Sequence, residues 1–171
     1  MKSVIKIYTV YTVELIEELI IGTPSYSNLI SGIVTRLRED NRLDNIIEDD
    51  AIYYGNNMPQ IIQWPAVTVA LDEVTEEWRT FGGPNRGQKD AFVNVTINVF
   101  DQQLDYQTGL TSVESKVQKI EDVLRTDLGI SGITYYSETA TKRFAEVLFD
   151  NTPVFNAEIV LTGKIRFSQA G

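Results

Sequence analysis

The chain has 171 residues, with 15 Lys and Arg against 24 Asp and Glu, a formal charge of −9, no Cys and no His. The missing Cys excludes disulfides, thiolate zinc sites and cysteine nucleophiles. The missing His excludes imidazole bases, Ser–His pairs and His-ligated metals. An acidic chain also lacks the basic face with which a nucleic-acid binder neutralises phosphates.

At 43% apolar and 23% charged, the composition is that of a folded globular protein. A single domain commonly runs to about 100–200 residues, and one of this size buries about 68–70% of its unfolded surface. Charges interrupt the start, Met1-Lys2-Ser3-Val4-Ile5-Lys6-Ile7, so it is no signal-peptide core, and no apolar run approaches the ~20 residues that span a bilayer. The expectation is a soluble protein with no membrane partner, intracellular where it is made.

In chain order, Val13, Leu15, Ile16, Leu19 and Ile20 form an apolar stripe beside Glu14, Glu17 and Glu18, predicting a helix that stops at Gly22-Thr23-Pro24. A second helix follows, capped by Ser25 or Ser27. Its apolar face is Leu29, Ile30, Ile33, Val34 and Leu37, and Arg36 and Arg38 suit its negative end. Residues 41–65 are irregular, with apolar islands between acidic and turn residues.

The pattern then changes to strands. Residues 64–71 predict one entered through Pro65, and 72–78 either extend it or bend away. Phe81-Gly82-Gly83-Pro84-Asn85-Arg86-Gly87 is a flexible loop. In 91–100, Val93, Val95, Ile97 and Val99 face one way while Asn94, Thr96 and Asn98 face the other. Leu110, Val113, Val117, Ile120, Val123 and Leu124 mark a helix with Thr111 and Glu114 spaced as a capping box and Gly129 as its stop. A short strand at 133–136 precedes two more, 142–149 and 154–167, joined by the turn Asp150-Asn151-Thr152-Pro153. The last alternates Phe155, Ala157, Ile159, Leu161, Ile165 and Phe167 with polar residues. These elements predict an α+β fold: a single, mostly antiparallel sheet with helices packed on one face. Residues 1–171 form one domain, with 1–24 as an N-terminal extension and 79–90 as a flexible loop.

No motif commits the chain to catalysis. Asp72, Glu73, Glu76 and Glu77 could offer oxygen ligands to Mg²⁺ or Ca²⁺, but their spacing fits no calcium loop and reads better as a solvated acidic stretch, as does Glu48-Asp49-Asp50. The Gly82–Gly87 region lacks the Gly-Lys-Ser/Thr of a phosphate loop and leads into a strand, so it reads as a hairpin loop, or a docking arm that orders on contact. Asn94-Val95-Thr96 is a glycosylation sequon inside a strand and is discounted. No Asp/Glu pair is marked out for glycoside hydrolysis. Trp64, Trp78, Phe81, Tyr53 and Tyr54 either cap the sheet core or anchor a neighbouring subunit. The expectation is a protein that is no enzyme and has no catalytic, cofactor or metal residues.

The helix at 29–38, the strand entry Pro65-Ala66-Val67-Thr68-Val69, the strand ending Val99-Phe100-Asp101 with its following helix, and the final hairpin containing Ile159-Val160-Leu161-Thr162-Gly163-Lys164-Ile165-Arg166-Phe167 occur in an order that resembles the tail terminator (tail-completion) proteins of tailed bacteriophages. The resemblance covers most of the chain after about residue 25. It implies a structural virion protein at the tail–neck junction, made in the host cytoplasm: a ring, hexameric in the family, that closes the tail tube and joins it to the head. The implied partners are further copies of the chain, the tail tube protein and head-completion or neck proteins, with DNA passing through the ring without specific binding. Trp78, Arg79, Phe81, Asn85, Arg86 and Lys89 are the candidate subunit or tube contacts. The alternatives are another neck or tail component (head-completion connector, tube or sheath protein), or an α+β ligand-binding or enzymatic domain outside phages.

Overall fold

The computed structural model describes residues 20–21, 25–55, 61, 63–79, 87–125, 129–130, 133–134, 136–149 and 152–168. The amphipathic repeat after Ser25 folds into helix α1 (Tyr26–Glu39). Ser25 is its N-cap, and its hydroxyl accepts from the Asn28 amide at 3.4 Å. The five apolar residues spaced at helical intervals, Leu29, Ile30, Ile33, Val34 and Leu37, are the ones it buries. Each contributes about 1.5–3 kcal/mol on leaving water.

The sheet has strands β1 (Ile20–Ile21), β2 (Ile52–Tyr54), β3 (Ala66–Trp78), β4 (Gln88–Gln102), β7 (Tyr136–Phe149) and β8 (Thr152–Ser168). A separate pair, β5 (Gly129–Ile130) and β6 (Ile133–Thr134), is antiparallel. Across the main sheet the order is β1-β8-β4-β3-β2, with β7 also on β8. β7 lines β8 up to Lys164 and β1 meets it at Phe167 and Ser168, so the two share one side of that strand. The β3–β4, β4–β8 and β7–β8 pairings are antiparallel, whereas β1–β8 and β2–β3 are parallel. Helix α2 (Tyr106–Arg125) completes the layer. Both helices pack on one face, against Ala91, Val93, Val95, Ile97 and Val99 of β4 and Phe155, Ala157, Ile159, Leu161, Ile165 and Phe167 of β8. The fold is α+β, with a mostly antiparallel sheet.

Several boundaries depart from the sequence reading. Ile20 and Ile21, expected at the end of a helix, are strand; the rest of that segment lies outside the described residues. Helix α2 starts a turn before the Thr111–Glu114 box. Asp105 takes the capping role, its carboxylate accepting from the Thr108 amide at 2.8 Å and hydroxyl at 2.7 Å, while the Thr111 hydroxyl donates back to the Gln107 carbonyl at 2.9 Å. The helix ends at Arg125, and Gly129 stands in β5. Residues 72–78 extend β3 rather than bend away. Residues 88–90, expected within the loop, lie inside β4, with Lys89 and Asp90 paired on both sides. Strand β7 begins at Tyr136, well before Lys142. β2 lies in the region read as irregular; Arg38 holds it to α1, donating to the Ile52 carbonyl at 2.5 Å.

The second face of the sheet is neither bare nor uniformly wet. At one end Ile61 and Trp64 close over Ala66, Phe100 and Val154, with Trp64 edge-on to Phe100 at 6.4 Å. Toward the other end the half-buried Thr162, Lys164 and Arg166 alternate along β8 with the core residues.

Candidate functional site

Where the described parts of β3 and β4 end together, the hairpin carries three of the predicted contact residues, Trp78, Arg79 and Lys89. Trp78 and Lys89 are a cross-strand pair. The Lys89 ammonium lies 4.6 Å from the centre of the Trp78 ring, within cation–π range. It also meets Glu76 Oε2 at 3.0 Å, and the Tyr26 hydroxyl donates to Glu76 Oε1 at 2.9 Å. Tyr26 opens α1, so this carboxylate ties the hairpin to the helix layer. The hydrogen bond from Lys89, seconded by that from Tyr26, holds the Glu76 carboxyl below its usual range against the opposing effect of burial. Burial, then the hydrogen bond to Glu76 and its charge, pushes the Tyr26 hydroxyl well above its ordinary value. Trp78 remains 46% exposed.

Arg79 follows, exposed, its amide donating to the Gln88 carbonyl at 2.9 Å to keep the hairpin closed. Phe81, Asn85 and Arg86 lie outside the described residues. Of the six expected contacts, the structure therefore brings Trp78 and Lys89 together and sets Arg79 beside them. Sequence reasoning missed Tyr26 and reduced Glu76 to one acid among four. The two are 50 residues apart, and no local pattern joins them.

On the opposite face of the same strands Asp90 is 7% exposed and paired twice, with Lys164 at 2.8 Å and Arg166 at 3.0 Å. Lys164 also stands 5.5 Å over the Phe92 ring. The acidic residues of β3 do not converge. Between Leu71 and Glu73 the register shifts, leaving Asp72 as an extra residue whose carboxylate accepts from the Thr96 hydroxyl. Beyond it Glu73 and Glu77 sit opposite Asn94 and Asp90, on the face away from the helices, while Glu76 sits opposite Ala91 on the helix side. Among the described residues, no group of three or more carboxylates is placed to hold a metal ion. Asn94 of the sequon is inside β4, accepting from the Thr162 hydroxyl at 2.9 Å.

One constellation that the sequence did not suggest has a chemical look. Lys116 Nζ lies 2.9 Å from Asp101 Oδ2 and 2.6 Å from Ser112 Oγ, and that hydroxyl donates to the same carboxylate oxygen at 2.6 Å. A Ser–Lys pair can act as nucleophile and base. Here the ammonium donates to both partners and has no lone pair with which to take the serine proton. The group fastens the end of β4 to α2.

No protein-family model matches the chain, and no curated protein matches it. Among solved structures it is similar to a chain of a "virion of native gene transfer agent (GTA) particle", with a TM-score of 0.54 and 15% identity over 82% of this chain and 96% of that one. At that identity the similarity is one of fold. The fold and the hairpin tip define an α+β protein whose sheet is covered by helices on one face and ends in an aromatic-cationic tip.

Proposed function

We propose that the chain is a structural protein of a phage or phage-like virion, and within it the tail terminator: a ring of copies of this chain, six as in the family it resembles, that closes the tail tube and forms the joint to the head–neck complex. The observation that carries this reading is a fold shared over 96% of a chain from a gene transfer agent virion. The order of helix, long hairpin, helix and final hairpin, by which the sequence resembles the terminators, supports the finer assignment. The chain acts as one domain, made in the host cytoplasm and built into the tail–neck junction, with no catalytic role. The tip, with Trp78, Arg79 and Lys89 and the loop residues Phe81, Asn85 and Arg86, serves as a contact for the tube protein or a neighbouring subunit. Interface centres favour aromatics and Arg, and Trp78 is exposed there. A charge of −9 suits a passage through which DNA slides, because a basic bore would hold it by its phosphates.

Particles assembled without this protein test the assignment under the electron microscope. The expected result is tubes of unregulated length that fail to join heads. Tails of normal length joined to heads would overturn it. Absence of any tube would identify a tube or sheath component, and normal free tails beside leaking heads would identify a head-completion connector.

A further inference from the structure

The sheet ends in two long strand edges. Beyond Val69, where β2 stops, β3 is paired only with β4 among the described residues, so 70–78 present an edge. On the other side, among the described residues, β7 is paired only with β8 along 136–149. Exposed edges template pairing with another chain, and proteins usually blunt them with charge. Here the charged residues of the β3 edge are all acidic, whereas the β7 edge is mixed and sets its two cations side by side. β3 carries the exposed Glu73, Glu76 and Glu77, with Asp72 at its bulge; β7 carries the exposed Lys142 and Arg143, with Glu138 before them and Glu146 after. Both edges also expose apolar side chains, Leu71 (39%) and Trp78 (46%) on β3, and Phe144 (43%) and Val147 (41%) on β7.

We infer that the β3 edge of one copy pairs with the β7 edge of the next, continuing the sheet from subunit to subunit. This rests on the ring assembly proposed above and names its contact. Charge favours the partner: β3 against β3 would set Glu against Glu, which is disfavoured, whereas Lys142 and Arg143 of β7 offer these acids two adjacent cations. Direction agrees. The chain of antiparallel pairings β3–β4–β8–β7 leaves β3 and β7 antiparallel, so a neighbour placed side by side, helices on the same face, offers an antiparallel edge. The faces match as well. Val74 and Glu76 lie on the helix side of β3, and Lys142 and Phe144 on the helix side of β7. One register sets Val74 opposite Phe144 and Glu76 opposite Lys142, and it places Arg143 opposite Thr75, between Glu73 and Glu77. Glu76, Lys142 and Arg143 keep their internal partners, Lys89, Glu121 and Glu158. The pairing ends at the bulge, before Asp72 would face Glu146. Such a contact is heterologous, so it propagates from copy to copy, and the proposed ring is the case in which the rotation between copies closes.

The lack of native cysteine makes disulfide trapping clean. Val74→Cys with Phe144→Cys in one chain is expected to give, on oxidation, a ladder of covalent dimers, trimers and larger species ending at the ring. Each single variant should give none, and a dimer from either alone would mean like edges pair and would overturn the inference. Glu73→Lys with Glu77→Lys is expected to raise the concentration for half-assembly by about tenfold or more, and adding Arg143→Glu to recover most of it. A closed oligomer whose cysteine pair stays reduced, and which ignores the charge reversal, would overturn the edge contact and leave the ring standing. A chain monomeric at every concentration, with no cross-link, would overturn both.

Discussion

Asp101 is 3% exposed at the end of β4 and has a strong claim on its neighbours: Ser112 and Lys116 both point into it from α2. Removing one member of a buried ion pair strands the other, at a cost of about 3–5 kcal/mol, whereas replacing both by apolar groups is often neutral. Lys116→Met should therefore lower unfolding stability by about that amount in denaturant titrations, and Asp101→Leu with Lys116→Met should recover much of it. A milder case is Asp40, whose carboxyl is held down to about 2, first by the Arg42 guanidinium hydrogen bonds. An ordinary Asp titrates near 3.9 when unfolded, so the folded state favours the ionised form. The stability this pair gives is complete above about pH 4 and is lost as pH falls from there through 2. Arg42→Ala should be less stable than the parent at pH 6, and the gap between the two melting curves should narrow across that acid window. A gap constant from pH 6 to pH 2 would assign the Arg42 effect to its other contact, the Asp122 carbonyl at 2.9 Å, instead.

At the level of elements, α2 approaches β8 closely at one point. Gly109 is buried there, and a Cβ built on it would overlap the Phe155 ring, itself 3% exposed and edge-on to Tyr106 at 5.6 Å. Helix propensity favours Ala over Gly by about 1 kcal/mol, while forcing a methyl into a packed contact costs about 1–3 kcal/mol. Since the overlap is with a packed ring, the second effect wins. Gly109→Ala should lower the melting temperature despite its better propensity, and a rise would show that Phe155 can step aside. The elements legible in the sequence are those whose burial is one-sided. The apolar faces of α1 and α2 and the alternation of β4 and β8 follow from periods of 3.6 and 2. β2 was not legible, because three residues carry no period and its parallel pairing with β3 depends on the chain fold as a whole. The start of α2 was misplaced because two capping sequences stand six residues apart, and Asp105, not Thr111, has the geometry. Trp78 and Lys89 could be singled out as a tip, but their link to Tyr26 belongs to tertiary structure.

At the scale of the whole molecule, the helices cover one face of the sheet and the residues around Ile61 and Trp64 close one end of the other. Among the described residues, what is left at the periphery is extended: the aromatic-cationic tip, the acidic β3 edge and the β7 edge with Lys142 and Arg143 side by side. A protein of this design satisfies its core internally and presents its remaining backbone valence sideways. The proposed ring would use those edges as its joints.

The extra residue Asp72 governs more of this than its size suggests. Before it, even-numbered residues of β3 point away from the helices; after it, they point toward them. It acts as a frame shift written in space rather than in codons. Were Asp72 paired in register opposite Asn94 instead of bulging out, Glu76 and Trp78 would be carried to the wrong side of the sheet, out of reach of Tyr26 and Lys89, and Glu73 and Glu77 would crowd in beneath α1. The whole distal half of the strand keeps its address through one residue that has no register partner in β4.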